Sequence, residues 1–132
     1  MKTMTYELTP ADLVWNRATM PDSCEAPAPG DVALSSLLRA HGLAMNGGVL
    51  HAVELLAADE WEAAKDGYRY FGPHEVADLL AHAKNLLGVG ENLDEHERRL
   101  DAKYATLIPD DSWLVERFEE QFAANPSAFA PL

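Results

Sequence analysis

Apolar residues recur along this chain at intervals of three and four, a spacing that places them on one face of an α-helix. Leu34, Leu37 and His41 show this spacing, and Tyr68 and Phe71 show it again further along. No segment alternates apolar and polar residues over the length of a β-strand. The sequence therefore predicts an all-α fold, a single-domain bundle of about six or seven helices joined by short loops.

Capping residues, glycines and prolines divide this pattern into separate helices. Thr9, Pro10 and Asp12 suit the cap and first turn of a helix, and Gly72-Pro73 ends one helix and starts the next. The predicted helices are 9–20, 31–45 with a cap at Asp31, 49–58, 59–71 with a cap at Asp59, 73–87, one from about Leu93 to Leu107, and one from Asp110 or Asp111 to about Asn125. Residues 21–30 are predicted to be a proline-rich loop within the single domain 1–132, and 31–132 its main helical body.

The apolar stripes predict the core, and the charged stripes predict the surface. The side chains expected to face the core in the first four helices are Leu13, Val14, Trp15, Leu34, Leu37, Leu38, His41, Met45, Val49, Leu50, Val53, Leu55, Trp61, Ala64, Tyr68 and Phe71. The opposite face of the fourth helix, with Glu62, Lys65, Asp66 and Arg69, is expected to point to solvent. His41 lies on an apolar face, which favours a hydrogen-bonded core histidine over a metal ligand.

The charge balance narrows the range of partners. The 132 residues include 22 acidic and 10 basic side chains, a formal net charge of -12. Nucleic acid and anionic membranes are polyanions that such a surface repels, so neither is expected to bind directly. Basic proteins are favoured instead. An excess of acid that only maintains solubility is the competing interpretation.

The cysteine content and the first residues suggest a reducing compartment. Cys24 is the single cysteine, which excludes a disulfide within the chain. The first seven residues lack the apolar run of a signal peptide, and no segment has the apolar length of a membrane span. We expect a cytoplasmic protein.

The sequence contains few of the patterns that chemistry requires. No two of the five histidines lie three or four residues apart, and CxxC, HExxH and the EF-hand pattern are absent. Asn46-Gly47-Gly48 lacks the lysine and the Ser/Thr of a phosphate-binding loop. We expect no metal, no cofactor and no catalytic residues, and the protein is predicted not to be an enzyme. A small-ligand pocket formed by Asn46, His51 and Glu54 around the glycine turn is a weaker alternative.

Acidic residues concentrate on the predicted outer faces of three helices. Residues 91–120 hold ten acids and four bases, which gives half of the net charge of the protein. Carboxylates three or four residues apart on a helix stand about 5–6 Å from one another at Cβ, so an outward row of them can resemble the charge pattern of DNA. The predicted partner-binding residues are Asp59, Glu62, Asp66, Glu91, Asp94, Glu95, Asp110, Asp111, Glu116, Glu119 and Glu120.

Three segments resemble those of a known family: Asn46-Gly47-Gly48-Val49-Leu50-His51, the spacing from Ala64 to Leu80, and the closing segment from Leu100 to Phe129. The family is a bacterial one of small all-α acidic proteins, mostly of unknown function, that includes DNA-mimic proteins. The first segment resembles the N-G-G-hydrophobic-x-Q turn of that family, although His51 stands where a polar amide is common. The resemblance covers about residues 34–130. It implies an all-α fold and, for some relatives, binding to DNA-binding proteins through an acidic surface, often as dimers.

Three functional hypotheses follow. The leading one is an acidic interaction module, a DNA mimic that occupies the basic nucleic-acid-binding surface of a regulator. The second is an immunity or antitoxin-type protein that neutralises a basic nuclease. The third is a small-ligand protein or enzyme with its pocket near the Asn46–Gly48 turn. A homodimer is compatible with each of them. Beside these three, a purely structural or dimeric accessory protein is a fourth hypothesis.

Overall fold

Seven α-helices and one 3₁₀ turn follow one another in a computed structural model of the chain, which describes residues 7–20, 22 and 24–132. No strand occurs among these residues, and the predicted all-α single-domain bundle is confirmed. The elements are α1 (Pro10–Ala18), α2 (Pro29–Gly47), α3 (Val49–Leu55), α4 (Ala58–Phe71), α5 (His74–Val89), α6 (Leu93–Leu107), α7 (Asp111–Ala124) and a 3₁₀ turn (Pro126–Ala128).

The start of α1 has the predicted cap. The Asp12 backbone N–H donates to Thr9 Oγ1 at 3.1 Å, and the Thr9 backbone N–H donates to Asp12 Oδ2 at 2.9 Å. Each side chain thus accepts a hydrogen bond from the backbone N–H of the other residue. Pro10 occupies the first helical position, where its missing N–H costs nothing. The helix ends at Ala18, two residues before the predicted end at Met20.

Two predicted caps lie inside their helices instead of before them. The α2 helix begins at Pro29, and Asp31 sits in its first turn, where its carboxylate accepts the Ala28 backbone N–H at 3.0 Å. The α4 helix begins at Ala58, so Asp59 also lies in the first turn, and Glu60 accepts the Ala57 backbone N–H at 3.0 Å. A carboxylate is favoured anywhere in the first turn, because the start of a helix is the positive end of its dipole. Asp31 and Asp59 therefore resemble caps in the sequence without being caps.

The α2 helix organises the bundle. It packs against α1, α3 and α4, while α5 lies against α3, α4 and α6. Gly67 allows α2 and α4 to approach closely, because a Cβ at this position would collide with the Ala33 carbonyl and with Leu37. The chain then returns through α7, and Phe129 packs beneath the start of α2 against Gly30.

A cluster of aromatic rings closes the core where α7 meets the rest of the bundle. Phe118 is its centre, with the ring centroids of Trp15, Phe71 and Phe122 at 5.6, 6.1 and 5.8 Å and that of Phe129 at 5.7 Å. The Phe118–Phe122 pair is stacked and the other three are tilted or edge-to-face, all at separations typical of aromatic pairs. The predicted apolar faces of α4 and α7 therefore meet in one core.

Four predicted face assignments are wrong. Leu13, Met45 and Leu55 are exposed, although the helical spacing placed them inward; Met45 remains 65% exposed at the rim of an open cleft. Lys65 is only 7% exposed, although it was predicted to point outward. Its ammonium group lies 3.5 Å from the centroid of the Trp61 ring and 3.3 Å from Glu62, so the long side chain covers the ring instead of extending into water.

Candidate protein-interaction surface

All eleven predicted partner-binding carboxylates belong to exposed residues. They occupy the outer side of α4, the start of α6, the α6–α7 junction and the outer side of α7. Each of these helices turns its apolar residues inward, for example Tyr68 in α4, Leu100 in α6 and Phe118 in α7. The amphipathic pattern thus fixes which side chains reach solvent.

On α7 the acids lie opposite the buried Leu114 and Phe118. Arg117 lies between two of them, with Nη2 at 2.6 Å from Glu120 and 3.7 Å from Glu116. Glu119 makes no ion pair or hydrogen bond among the residues that the structure describes. The outer side of α7 thus has three glutamates and one arginine.

On α4 the acids are largely paired within the helix. Glu62 contacts Lys65 at 3.3 Å and Asp66 contacts Arg69 at 3.1 Å, while Asp59 has no such partner in the described ranges. The Asp66–Arg69 pair is exposed, and exposed pairs contribute little to stability, whereas Lys65 is buried. Both pairs lower the net charge of this face, so α4 offers less unbalanced charge than α7.

At the start of α6 the balance is again negative. Glu95 contacts Arg99 at 2.6 Å, whereas Glu91 and Asp94 pair with nothing in the described part of the chain. Most basic side chains elsewhere in the described residues are also paired already. Of the nine lysines and arginines within the described residues, seven already lie within ion-pair distance of a carboxylate. The remaining acids therefore have few local counter-charges.

The α6–α7 junction holds two of the predicted acids in fixed positions. Asp110 caps α7 by accepting the Trp113 backbone N–H at 2.9 Å. Asp111 Oδ1 lies 2.8 Å from His41 Nε2, although the Asp111 side chain is 77% exposed. Asp111 therefore joins the acidic surface to the interior of the protein.

Behind Asp111 runs a chain of buried polar groups. His41 Nδ1 lies 2.7 Å from the Tyr104 hydroxyl, which lies 2.7 Å from the Tyr68 hydroxyl. With a proton on Nε2, His41 donates to Asp111 and accepts from Tyr104, and Tyr104 accepts from Tyr68. The prediction of a satisfied core histidine is confirmed.

Burial has the largest effect on the pKa values of Tyr68 and Tyr104, the two tyrosines of this hydrogen-bonded network. It raises the pKa of Tyr68 well above its ordinary value, and it raises the pKa of Tyr104 as well. Both hydroxyls therefore stay protonated at neutral pH and serve as hydrogen-bonding groups. The tyrosines lie 36 residues apart, and His41 and Asp111 lie 70 apart, so no local pattern signalled this network.

A cleft of about 280 Å³ opens between the end of α2, the start of α3, α6 and the α6–α7 junction. Asp101 forms part of its wall and accepts the Val49 backbone N–H at 2.8 Å. The side chains and backbone that line the cleft belong to His41, Ala44, Met45, Gly48, Val49, Asp101, Tyr104, Ala105, Ile108, Pro109, Asp110 and Asp111.

The cleft borders the predicted glycine turn but not the predicted ligand residues. Gly48 contributes to its lining with a φ of 96°, a conformation that glycine tolerates. Asn46, His51 and Glu54 do not line it. No hydrogen bond joins His51 to Glu54 among the described side chains. The cleft beside the glycine turn is therefore lined by residues of α2, α6 and the α6–α7 junction, and not by these three residues.

The described residues offer neither a metal-binding cluster nor a membrane-spanning helix. No group of three or more His, Cys, Asp or Glu side chains in the ranges 7–20, 22 and 24–132 is placed to hold a metal ion. Within the same ranges, every helix is too short or too polar to cross a bilayer.

Comparison with known proteins identifies the family. No curated protein and no solved structure matches the chain. The sequence profile of the DMP19-like protein family matches residues 27–130, which contain α2 to α7 and the whole segment on which the resemblance rests. The chain therefore belongs to the DMP19-like protein family, a family of DNA-mimic proteins.

Proposed function

We propose that this protein is an acidic interaction module that occupies the basic nucleic-acid-binding surface of a partner protein. The observation that carries the proposal is the exposure of all eleven carboxylates on α4, α6, the α6–α7 junction and α7. Membership of a family of DNA-mimic proteins supports it. The partner class that fits is a DNA-binding regulator.

The arrangement on α7 is the part of the surface most suited to this role. Glu116, Glu119 and Glu120 project from one side of a helix whose other side is held by the aromatic core. Helical neighbours of this kind stand about 5–6 Å apart at Cβ. A rigid row of negative charges can face the lysines and arginines with which a regulator contacts phosphates. No sequence-specific base contact is needed for this competition.

The net charge of -12 predicts how such a complex forms. Opposite charges steer the two proteins together, so association is fast at low ionic strength. Added salt screens that attraction, because the Debye length falls to about 8 Å at physiological ionic strength. Binding should therefore weaken as salt rises.

The first test is capture and competition. The tagged protein is incubated with a lysate of its native host at low salt, and the proteins released by rising salt are identified. The expected product is a basic nucleic-acid-binding protein, and adding the acidic protein should displace that partner from its labelled DNA or RNA. A captured partner that keeps its nucleic acid while bound would contradict mimicry. A captured nuclease that loses activity would favour the immunity-type alternative.

A charge-matched pair of variants then locates the surface. The test variant carries Glu116→Gln, Glu119→Gln and Glu120→Gln. The control carries Glu25→Gln, Glu54→Gln and Asp78→Asn, which remove the same charge from exposed residues outside the predicted surface. The test variant should lose more affinity for the partner than the control does. Equal losses would mean that net charge alone drives binding and that α7 is not the contact surface.

A further inference from the structure

The cleft at the α6–α7 junction combines apolar walls with an acidic rim. Met45, Ala105 and Pro109 supply exposed apolar surface, and Met45 is among the most exposed large apolar side chains of the described residues. At about 280 Å³ the cleft lies just below the range of about 300–1,000 Å³ that is typical of small-molecule pockets. Its size therefore suits a single protruding side chain better than a larger ligand.

The three aspartates of the rim are held in place but keep an oxygen for a ligand. Asp101 Oδ1 accepts the Val49 N–H, Asp110 Oδ1 accepts the Trp113 N–H, and Asp111 Oδ1 contacts His41. In each carboxylate the second oxygen, Oδ2, has no hydrogen-bond donor among the described residues. No lysine or arginine lines the cleft. Three positioned carboxylates thus belong to the lining of a groove that no lysine or arginine neutralises.

We propose that this cleft binds one arginine side chain of the basic partner. The inference rests on the proposed function and names the contact that anchors it. A guanidinium group presents five N–H donors in a planar fork, which matches several carboxylate oxygens at once. Its aliphatic stem packs against apolar surface of the kind that Met45 and Pro109 provide.

The positioning of the acceptors explains why this site would matter more than the open helix faces. The backbone and His41 already hold the aspartates, so little side-chain entropy is lost when an arginine enters. The acids of α7 stand on an open surface, where their charges act together to steer association and each single contact contributes modestly. Arginines that fill pockets are frequent centres of binding energy at protein interfaces.

The direct test uses N-acetyl-arginine amide as the probe and N-acetyl-citrulline amide, its uncharged isostere, as the control. NMR follows the Met45 methyl group and the backbone amides of Val49 and Asp111. The arginine compound should shift these signals in a saturable way at millimolar concentration, and the citrulline compound should not. Equal shifts from both compounds would overturn the charge requirement. Equal shifts from N-acetyl-lysine amide would overturn the preference for arginine.

A pair of matched variants tests the shape of the site without changing its charge. Ala105→Leu fills the cleft, whereas Ala102→Leu adds the same side chain to an exposed position of α6 outside the cleft lining. The first should abolish the shifts caused by the arginine probe, and the second should preserve them. Met45→Ser provides an independent variant that removes apolar wall at an exposed position, and it should weaken the shifts of Val49 and Asp111. Unchanged shifts in both Ala105→Leu and Met45→Ser would refute the site.

The same variants separate this inference from the proposed function. With the captured partner, Ala105→Leu should reduce affinity about tenfold or more, the loss typical of a central interface residue. If only the triple substitution on α7 weakens the complex and Ala105→Leu does not, the interaction module stands and the arginine site is wrong. If neither variant weakens the complex, both proposals fail.

Discussion

Asp31 and Glu119 carry the same charge on two helices of one bundle, but their surroundings are opposite. Asp31 is 4% exposed and accepts from Arg17 at 2.7 Å, from the Ala28 N–H at 3.0 Å and from the Ala130 N–H at 2.7 Å. Glu119 is exposed and has no partner within the described ranges. The first carboxylate ties α1, α2 and the C-terminal segment together, whereas the second touches only solvent.

This difference shows why a charge count alone does not assign a function. A buried carboxylate with a full set of donors belongs to the fold, because removing it leaves those donors unsatisfied. An exposed carboxylate can be removed at little cost in stability, so its position is free to serve a partner. Asp111 belongs to both groups, since its side chain is exposed while one oxygen contacts the buried His41.

The largest effect is expected at Asp31. Asp31→Ala would leave Arg17 without its carboxylate partner and would leave two backbone N–H groups without an acceptor. Removing one partner of a buried ion pair costs about 3–5 kcal/mol. Urea unfolding measures this loss, with Glu119→Ala as the control that should change little. Similar losses in the two variants would erase the distinction between the two regions.

The next effect tests the buried network that Asp111 joins. Tyr104→Phe would remove the acceptor of the Tyr68 hydroxyl and the donor to His41 Nδ1, and an unsatisfied buried group costs about 1–3 kcal/mol. Tyr70→Phe is a matched control, because the buried Tyr70 hydroxyl has no hydrogen-bond partner in the described structure. Thermal and urea unfolding should show a loss for Tyr104→Phe alone. A comparable loss for Tyr70→Phe would point to packing instead of hydrogen bonding.

The helices themselves were predictable from the sequence because their signals are local. Thr9, Pro10 and Asp12 form the cap of α1 as expected, and Asp110 caps α7. Asp31 and Asp59 were misplaced by one turn or less, since an acid favours any position in the first turn of a helix. Pro29 marks the true start of α2, because proline is enriched at the first helical position.

The wrong assignments concern contacts that no local pattern encodes. Lys65 was expected in solvent because its ammonium is charged, but a flexible stem lets the charge lie on the Trp61 ring. Met45 continues the apolar stripe of α2, yet at that end of the helix the stripe borders the open cleft. The exposed acids were placed correctly because charge and helical period agree there. Binding also depends on the positions of basic residues on the partner, which this sequence does not encode.

A smaller effect is expected at Glu60, a partly exposed carboxylate with a local structural role. The Ala57 backbone N–H and then Arg39 lower its pKa below the ordinary value. Because its pKa is lower in the folded state, Glu60 stabilises the protein at pH values above its unfolded pKa of about 4.3. This contribution disappears as the pH falls through the pKa that Glu60 has in the folded state. Glu60→Gln should therefore reduce stability slightly at pH 7 and hardly at all at pH 3. Urea unfolding of both proteins at the two pH values checks this, and an equal difference at pH 3 would exclude an ionic origin.

The smallest effect on stability is expected where the proposed effect on function is large. The triple variant with Glu116→Gln, Glu119→Gln and Glu120→Gln removes both carboxylate neighbours of Arg117. Both of those carboxylates are exposed, and Arg117 keeps its position over the Trp113 ring at 5.0 Å from the centroid. Surface substitutions of this kind usually change stability by no more than about 0.5 kcal/mol each. The free energy of unfolding at low and high salt should stay within that range, and should even rise slightly at low salt because repulsion among the three charges is relieved. A loss comparable with that of Asp31→Ala would mean that the acids of α7 hold the fold together, and weakened partner binding in this variant would then reflect unfolding instead of a lost contact surface.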